Sequence, residues 1–571
     1  MTFYNLLQRL KLWALVASTV ILVFGSLSSQ RSATANSHLV DPPSSRLGDF
    51  LAGYFAESAL DGKAAIGFFR SNLAANPDNK VTQTKLLSIL VSEGKINSAI
   101  PLAKKLIETN APNLDLAILL VALDELLKGD CLQARIDLAK LPDTGVTAYA
   151  VPVIEAWCLI KENKQNKAIQ LLEIKMTNPG TVAFFGPHAS LIAERANKTD
   201  QAIRYMENTI KYYRRIGANL TRLFGGLLDR NKMYSRATQL YKDYNRLNPS
   251  SSLFDAFSGK NTNDRKASKT PISIQEGISE ALFSLSRSVT SQSPADAIIF
   301  NRLAIHMNPA FTYARLQLAE TMTRNGKLEE AISLYKSLSK DPVFGWTSKL
   351  QMARNHNFLD EFDSATKILE KMAREETDRF EPLEVLGTMY RSRKKYSRAT
   401  RAFEAAKKRV IKWEFKHWKL LYGNAASLER LKKWPAAEKD FLKAMQLNPN
   451  EPTLLNYLGY SWVEQGIHLK KAKKMIETAV QQRPRAGYIV DSLGWVQYQT
   501  GEFKKALKNL ERAILLSPSD PTINDHLGDV YWRVGRQLEA RFQWLRALSF
   551  EPEKEQIPVI KKKLEKGLSG T

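Results

Sequence analysis

The chain has 571 residues, a net charge of +25, 44% hydrophobic residues and two cysteines. Such a basic surface attracts anionic lipid, acidic protein or nucleic acid, but the charge by itself names no partner. Apolar residues almost never alternate with period 2, which leaves a helical chain and excludes a β protein.

The first segment stands apart. Arg9 and Lys11 precede an uncharged apolar run, Leu12–Phe24, and Ala33-Thr34-Ala35 offers a cleavage site. This is the layout of a secretory signal over residues 1–35. Leu12–Leu27 is 16 residues long, short of the ~20 that a spanning helix needs. A cleaved signal and an uncleaved anchor are both open, and either one puts the rest of the chain in the periplasm or outside the cell. No Cys follows the run, which excludes a lipoprotein anchor.

From residue 46 onward the chain repeats. Gly53, Ala65, Phe69 and Pro77 set a phase that Gly94 and Ala99, Gly129 and Ala134, Ala168, and Ala202 follow, closing on Gly225, Ala237, Tyr241 and Pro249. We read 46–249 as a first series of helix pairs. Residues 250–277 are polar, rich in Ser, Asn and Lys, and break the phase, as a linker or long loop does. A second series, 278–554, starts with a degenerate unit at Ala297, Ala304 and Pro309 and passes through Gly326, Ala331 and Tyr335. Leu386-Gly387, Ala399 and Phe403 form a better unit, followed by Ala437, Phe441 and Ala444.

The last three units are the clearest. Leu493-Gly494, Gly501, Ala506, Ala513 and Pro518 recur 34 residues on as Leu527-Gly528, Gly535, Ala540, Ala547 and Pro552. One unit upstream, Leu458-Gly459, Gly466, Ala472, Ala479 and Pro484 hold the same places, with one inserted residue near Ile467. Small residues let two antiparallel helices approach, a Gly makes the turn and a Pro ends the second helix. About fourteen pairs fit between residues 46 and 554. Residues 555–571 end the chain as a capping helix and tail. Ile557, Ile560 and Leu564 are spaced to cover the last apolar face, while Lys561–Lys563 read as a solvated face.

This pattern resembles the tetratricopeptide repeat (TPR) family. The resemblance implies an all-α fold, a right-handed solenoid of antiparallel helix pairs behind an N-terminal signal segment. It also implies a concave groove lined by the first helix of each pair. Carried onto the clearest units, the groove positions are Asn456, Tyr460, Tyr488, Asp491, Trp495, Tyr498, Asp525, Asp529 and Trp532. The strip is aromatic and acidic, and differs from the two-Lys, two-Asn clamp that some TPR domains use for a C-terminal carboxylate. It suits a basic or amphipathic partner segment. Alternatively, the tryptophans complete interhelix packing. With this groove as the partner site, Asp525→Lys with Asp529→Lys is expected to abolish partner capture while leaving helicity and thermal unfolding almost unchanged.

Asn456–Leu548 also resembles exported TPR proteins of Gram-negative bacteria. Among these are outer-membrane adaptors that deliver cell-wall hydrolases to a periplasmic C-terminal processing protease. Those adaptors are lipoproteins, and this chain has no lipobox Cys. The resemblance implies a non-enzymatic scaffold or adaptor in the cell envelope, binding protein or peptide partners that include a processing protease and its substrates. A membrane-anchored envelope-biogenesis factor is the alternative, with an anionic membrane surface as a further partner.

No catalytic motif is present: seven scattered His and two Cys make no HExxH and no paired ligand set, and there is no P-loop, GxSxG or GxGxxG. No enzyme activity and no cofactor are expected. Export and the absence of an RNA-binding motif argue against nucleic acid. Cys131 opens the second helix of one unit and Cys158 lies in the first helix of the next. The pair stands either as a disulfide, which an exported location permits, or as two buried thiols.

Overall fold

The computed structural model describes residues 46–568 except 60, 214, 249–252, 255–256 and 258–272. The signal segment and most of the linker lie outside the described residues. Among the described residues, no helix is long and apolar enough to cross a membrane.

Twenty-nine α-helices and one short 3-10 turn make up the described chain, with no strands. Fourteen antiparallel pairs run from Arg46–Ser58 with Gly62–Ala75 to Pro521–Arg533 with Gln537–Ser549, and a single helix, Gln556–Lys566, follows. Within each series, each second helix packs on the first helix of the next pair, so a unit buries its apolar face on its neighbours.

The turn chemistry explains why some units are hard to read. A residue in the left-handed region joins the two helices of most units. It is Gly501 (φ 78°) and Gly535 (φ 85°) in the clear units. Asn163, Asn197, Lys232, Asp360, Lys394 and Lys432 adopt the same conformation elsewhere. Asn tolerates that region, and packing forces it on the lysines. The inserted residue near Ile467 is accommodated by a second left-handed residue, His468 (φ 50°), two positions after Gly466. Close approach accounts for the Leu-Gly motif: a Cβ on Gly494 would lie 2.6 Å from Leu510 Cγ.

The expected boundary at residue 278 falls inside a helix. Ile274–Val289 begins at Ser273, whose hydroxyl accepts from Glu276 N (3.1 Å) while Glu276 accepts from Ser273 N (2.9 Å). This helix packs against Thr147–Lys161 and Pro179–Arg195, and its partner Pro294–Met307 packs against Lys80–Ser92. These three are all first helices of the first series. The pair therefore fills the concave side of that series, and one apolar cluster runs unbroken from Ala56 to Ala314.

Polar contacts register this docking. Arg222 donates to both carboxylate oxygens of Glu280 (2.7 and 2.6 Å), both residues being buried. Arg302 Nε donates to the Ser92 carbonyl (3.0 Å), and Lys327 pairs with Glu93 (2.6 Å). Gly277 lies on the face of buried Trp157, so close that a Cβ would enter the indole. The first series thus has its groove occupied by its own chain, and an open groove is left to the C-terminal units.

Candidate functional site

Four first helices build the C-terminal groove: Trp418–Arg430, Pro452–Glu464, Gly487–Gln499 and Pro521–Arg533. It encloses about 670 Å³. The turn after the last repeat closes one side, where Glu553 accepts from Arg430 (2.6 and 2.7 Å) and reaches Lys394 (3.5 Å). Six carboxylates line the groove, Glu429, Glu464, Asp491, Asp520, Glu551 and Glu553, against the cations Arg430 and Lys432. The cavity is therefore acidic in a protein of net charge +25.

The structure divides the nine expected groove residues into three groups. Asn456, Tyr460, Tyr488 and Asp491 line the cavity. Asn456 Oδ1 is buried without a hydrogen-bond partner, and Tyr488 stands 45% exposed. Burial pushes the Tyr460 hydroxyl well above its usual range, and the carboxylates of Glu464 and Asp491 push it further. Tyr460 stays a neutral donor.

Trp495 and Tyr498 form the second group, in a stack behind the cavity. The Trp495 ring lies 3.9 Å from His526 and 4.9 Å from Tyr498, nearly parallel to both, and its Nε1 donates to Glu464 (2.6 Å). These rings pack between units, the packing alternative raised for the tryptophans. His526 has no place among the expected residues, because it sits one position after the groove position Asp525. Its Nδ1 is 3.0 Å from Asp491.

Burial opposes a charge on the His526 ring. The Asp491 carboxylate, with Asp525 and Asp529 beyond it, outweighs burial and raises its pKa above the ordinary value. A raised histidine stabilises the fold fully below the unfolded value of about 6.5 and loses that contribution as pH rises through the folded value. Thermal unfolding of the C-terminal units is expected to shift upward between pH 8 and pH 6, and His526→Gln to flatten that rise. The check is differential scanning calorimetry at both pH values.

Asp525, Asp529 and Trp532 are the third group, and here the structure corrects the expectation. Lys563, from the terminal helix, sits between the two carboxylates, 2.8 Å from each. Trp544 Nε1 donates to Asp529 (2.9 Å), and Trp532 is buried under Gly567. These acids are held by the protein's own tail and are not a free steering strip. Asp525→Lys with Asp529→Lys would gather three ammonium groups and would not leave unfolding unchanged. The expected solvated face, Lys561–Lys563, is solvated only at Lys561 and Lys562. Of the expected capping residues, Ile560 is fully buried, with Leu564 and Ile557 half-buried.

Cys131 and Cys158 are free, buried thiols that face each other across two units. Burial, then the hydrogen bond with Cys131, pushes the Cys158 thiol far up, so it is not a thiolate nucleophile. Among the described residues, no cluster of three or more His, Cys, Asp or Glu is arranged to hold a metal.

Residues 494–535 match the family described as TPR repeat. That stretch carries a tetratricopeptide repeat. The matched stretch runs from the groove helix Gly487–Gln499 to the turn Gly535, where the TPR spacing is cleanest. Solved structures with similar folds include a chain of an APC/C hetero-tetramer, at 12% identity and TM-score 0.40, spanning 92% of this chain and 96% of that one. A TPR protein from Parabacteroides merdae is similar at 15% identity and TM-score 0.34 over 44% of this chain and 97% of its own. A thermophilic TPR protein in Thermus thermophilus follows at 23% identity and TM-score 0.28, over 33% and 98%. No curated protein matches the sequence.

Proposed function

We propose that this protein is a scaffold whose C-terminal TPR groove binds a basic, side-chain-rich segment of a partner protein. The acidic cavity carries this reading: six carboxylates against two cations, with Tyr488 exposed on its wall and the Asn456 carbonyl oxygen unpartnered. A buried acceptor without a partner is costly and is satisfied when a peptide N–H or a cationic group enters. Aromatic anchors supply much of the affinity in such grooves.

The scaffold acts in the cell envelope. Arg9, Lys11, the apolar run and Ala33-Thr34-Ala35 support export, with the mature chain in the periplasm or, uncleaved, anchored facing it. The resemblance of Asn456–Leu548 to protease adaptors supports delivery of clients to a processing protease, the long solenoid raising their effective concentration.

The test is crosslinking in intact cells, affinity purification and mass spectrometry, with wild type beside Tyr488→Ala/Glu551→Lys. Both side chains face the cavity, so thermal unfolding is expected to stay within a degree or two. Losing an aromatic anchor of about 2 kcal/mol weakens capture roughly 30-fold. Recovery of a processing protease and wall hydrolases by wild type, and their loss in the variant, supports the reading. Equal recovery by both overturns the groove as the site.

A further inference from the structure

The convex face of the C-terminal units is as distinctive as the groove. Four consecutive second helices form it: Tyr396–Lys408, Trp434–Leu447, Leu469–Gln482 and Phe503–Leu516. Together they carry fourteen Lys and Arg against five Asp and Glu. The acids are largely committed within the fold: Glu404 and Asp440 hold Lys407, Glu438 accepts from Trp462, and Glu511 accepts from Tyr531.

The repeat places the cations in register. Counting two residues on from the buried Ala of each second helix gives Arg401, Lys439, Lys474 and Lys508, a row of exposed side chains with no ion pair among the described residues. The next unit breaks the row with Phe542. At the position two before the Ala, Lys470 and Lys504 are followed by Leu538. Leu538, Phe542 and Leu545 lie at i, i+4 and i+7 on one face of Gln537–Ser549 and are 83%, 58% and 56% exposed. Leu515, 84% exposed, lies on the neighbouring second helix. These are outward positions. The terminal helix covers a different side, where Trp544 and Ala547 are buried.

A row of four unpaired cations edged by an exposed apolar stripe matches one kind of surface better than others. A soluble acidic partner would satisfy the cations and leave the leucines in water. An anionic bilayer takes both, with ammonium and guanidinium groups at the phosphates and aliphatic and aromatic side chains in the interfacial zone. We propose that the convex face of the C-terminal units docks on an anionic lipid membrane, with the row Arg401, Lys439, Lys474 and Lys508 at the head groups and Leu538, Phe542 and Leu545 inserted at the edge. The acidic groove then faces away from the membrane and stays open to a partner. This docking is independent of what the groove binds.

The experiment is vesicle co-sedimentation of the full chain lacking residues 1–35. Vesicles of phosphatidylcholine alone are compared with vesicles containing roughly one-third phosphatidylglycerol, a leaflet-like anionic fraction. Wild type is expected on the anionic vesicles only, with release at 0.5 M salt, roughly a 4 Å screening length. Reversing the four cations to Glu is expected to weaken binding by at least tenfold. Leu538→Ser with Phe542→Ser is expected to weaken it about tenfold at unchanged salt dependence. All six sites are exposed, and circular dichroism confirms that both variants fold. Three results overturn the proposal: no binding to anionic vesicles, equal binding to neutral ones, or binding untouched by charge reversal. Binding lost on charge reversal but indifferent to the two Ser substitutions also overturns it, and assigns the face to a soluble polyanion, for which polyaspartate is the competing probe.

Discussion

Replacing Glu280 with alanine is expected to destabilise the chain by about 3–5 kcal/mol, the cost of leaving a buried charge without its partner. Arg222 and Glu280 have side chains 8% and 6% exposed, and they join a groove helix of the first series to the helix pair that fills its concave side. The guanidinium also donates to Asn219 (2.7 Å) and lies 4.5 Å from the Tyr313 ring. With Glu280 gone, those two contacts do not neutralise it, and the pair Ile274–Val289 and Pro294–Met307 is expected to loosen. A solenoid melts in segments, so the best readout is hydrogen exchange. Protection should fall over 147–161 and 274–307 first and stay unchanged beyond residue 452. Arg222→Met with Glu280→Leu removes both charges and is expected to recover most of the loss, because the desolvation cost disappears with the pair. If Glu280→Ala melts like wild type, the pair is not holding the insertion in place.

The second large effect is expected at the other end. Lys563→Met removes the cation shared by Asp525 and Asp529, whose side chains are 13% and 5% exposed. Burial already pushes Asp529 above the ordinary carboxyl range against the pull of Lys563. Without Lys563, Asp529 takes up a proton or the terminal helix leaves so that water can enter. Either outcome costs about 3 kcal/mol near neutral pH. The sign with pH follows from the raised carboxyl: the variant regains stability as pH falls and Asp529 is protonated in the folded state, and loses it as pH rises. Departure of Gln556–Lys566 uncovers Trp532 from Gly567, so tryptophan emission should shift to the red. Adding Asp525→Asn and Asp529→Asn to Lys563→Met is expected to restore the blue-shifted emission. Unchanged emission in Lys563→Met would show that apolar contacts of Ile560 are enough to hold the cap.

Both effects lie where the sequence is least informative. The period of 34 is legible because neighbour-on-neighbour stacking imposes the same small residues on every unit: Ala472, Ala506 and Ala540 are each fully buried at the same place. The turn is legible only where it uses Gly. Lys232, Lys394 and Lys432 do the same work without a local signal, since packing with the rest of the unit overrides their preference. Of the groove residues that the family resemblance implies, Asn456, Tyr460, Tyr488 and Asp491 line the cavity. Asp525 and Asp529 have the same phase but a different fate, because Lys563, 38 and 34 residues further on, comes from the terminal helix, which lies past the last unit and carries none of the small-residue motif of the repeat.

The sequence by itself determined the all-helical repeat and its phase, because local spacing and nearest-neighbour packing set both. Contacts between distant segments decided which stretches of the inner face remain open. The insertion at 274–307 fills one groove and the terminal helix neutralises part of another, while Glu553 closes over the cavity between them by reaching Arg430 from 123 residues away. Those contacts depend on the superhelix bringing remote units together, and a repeat pattern carries no record of which units meet.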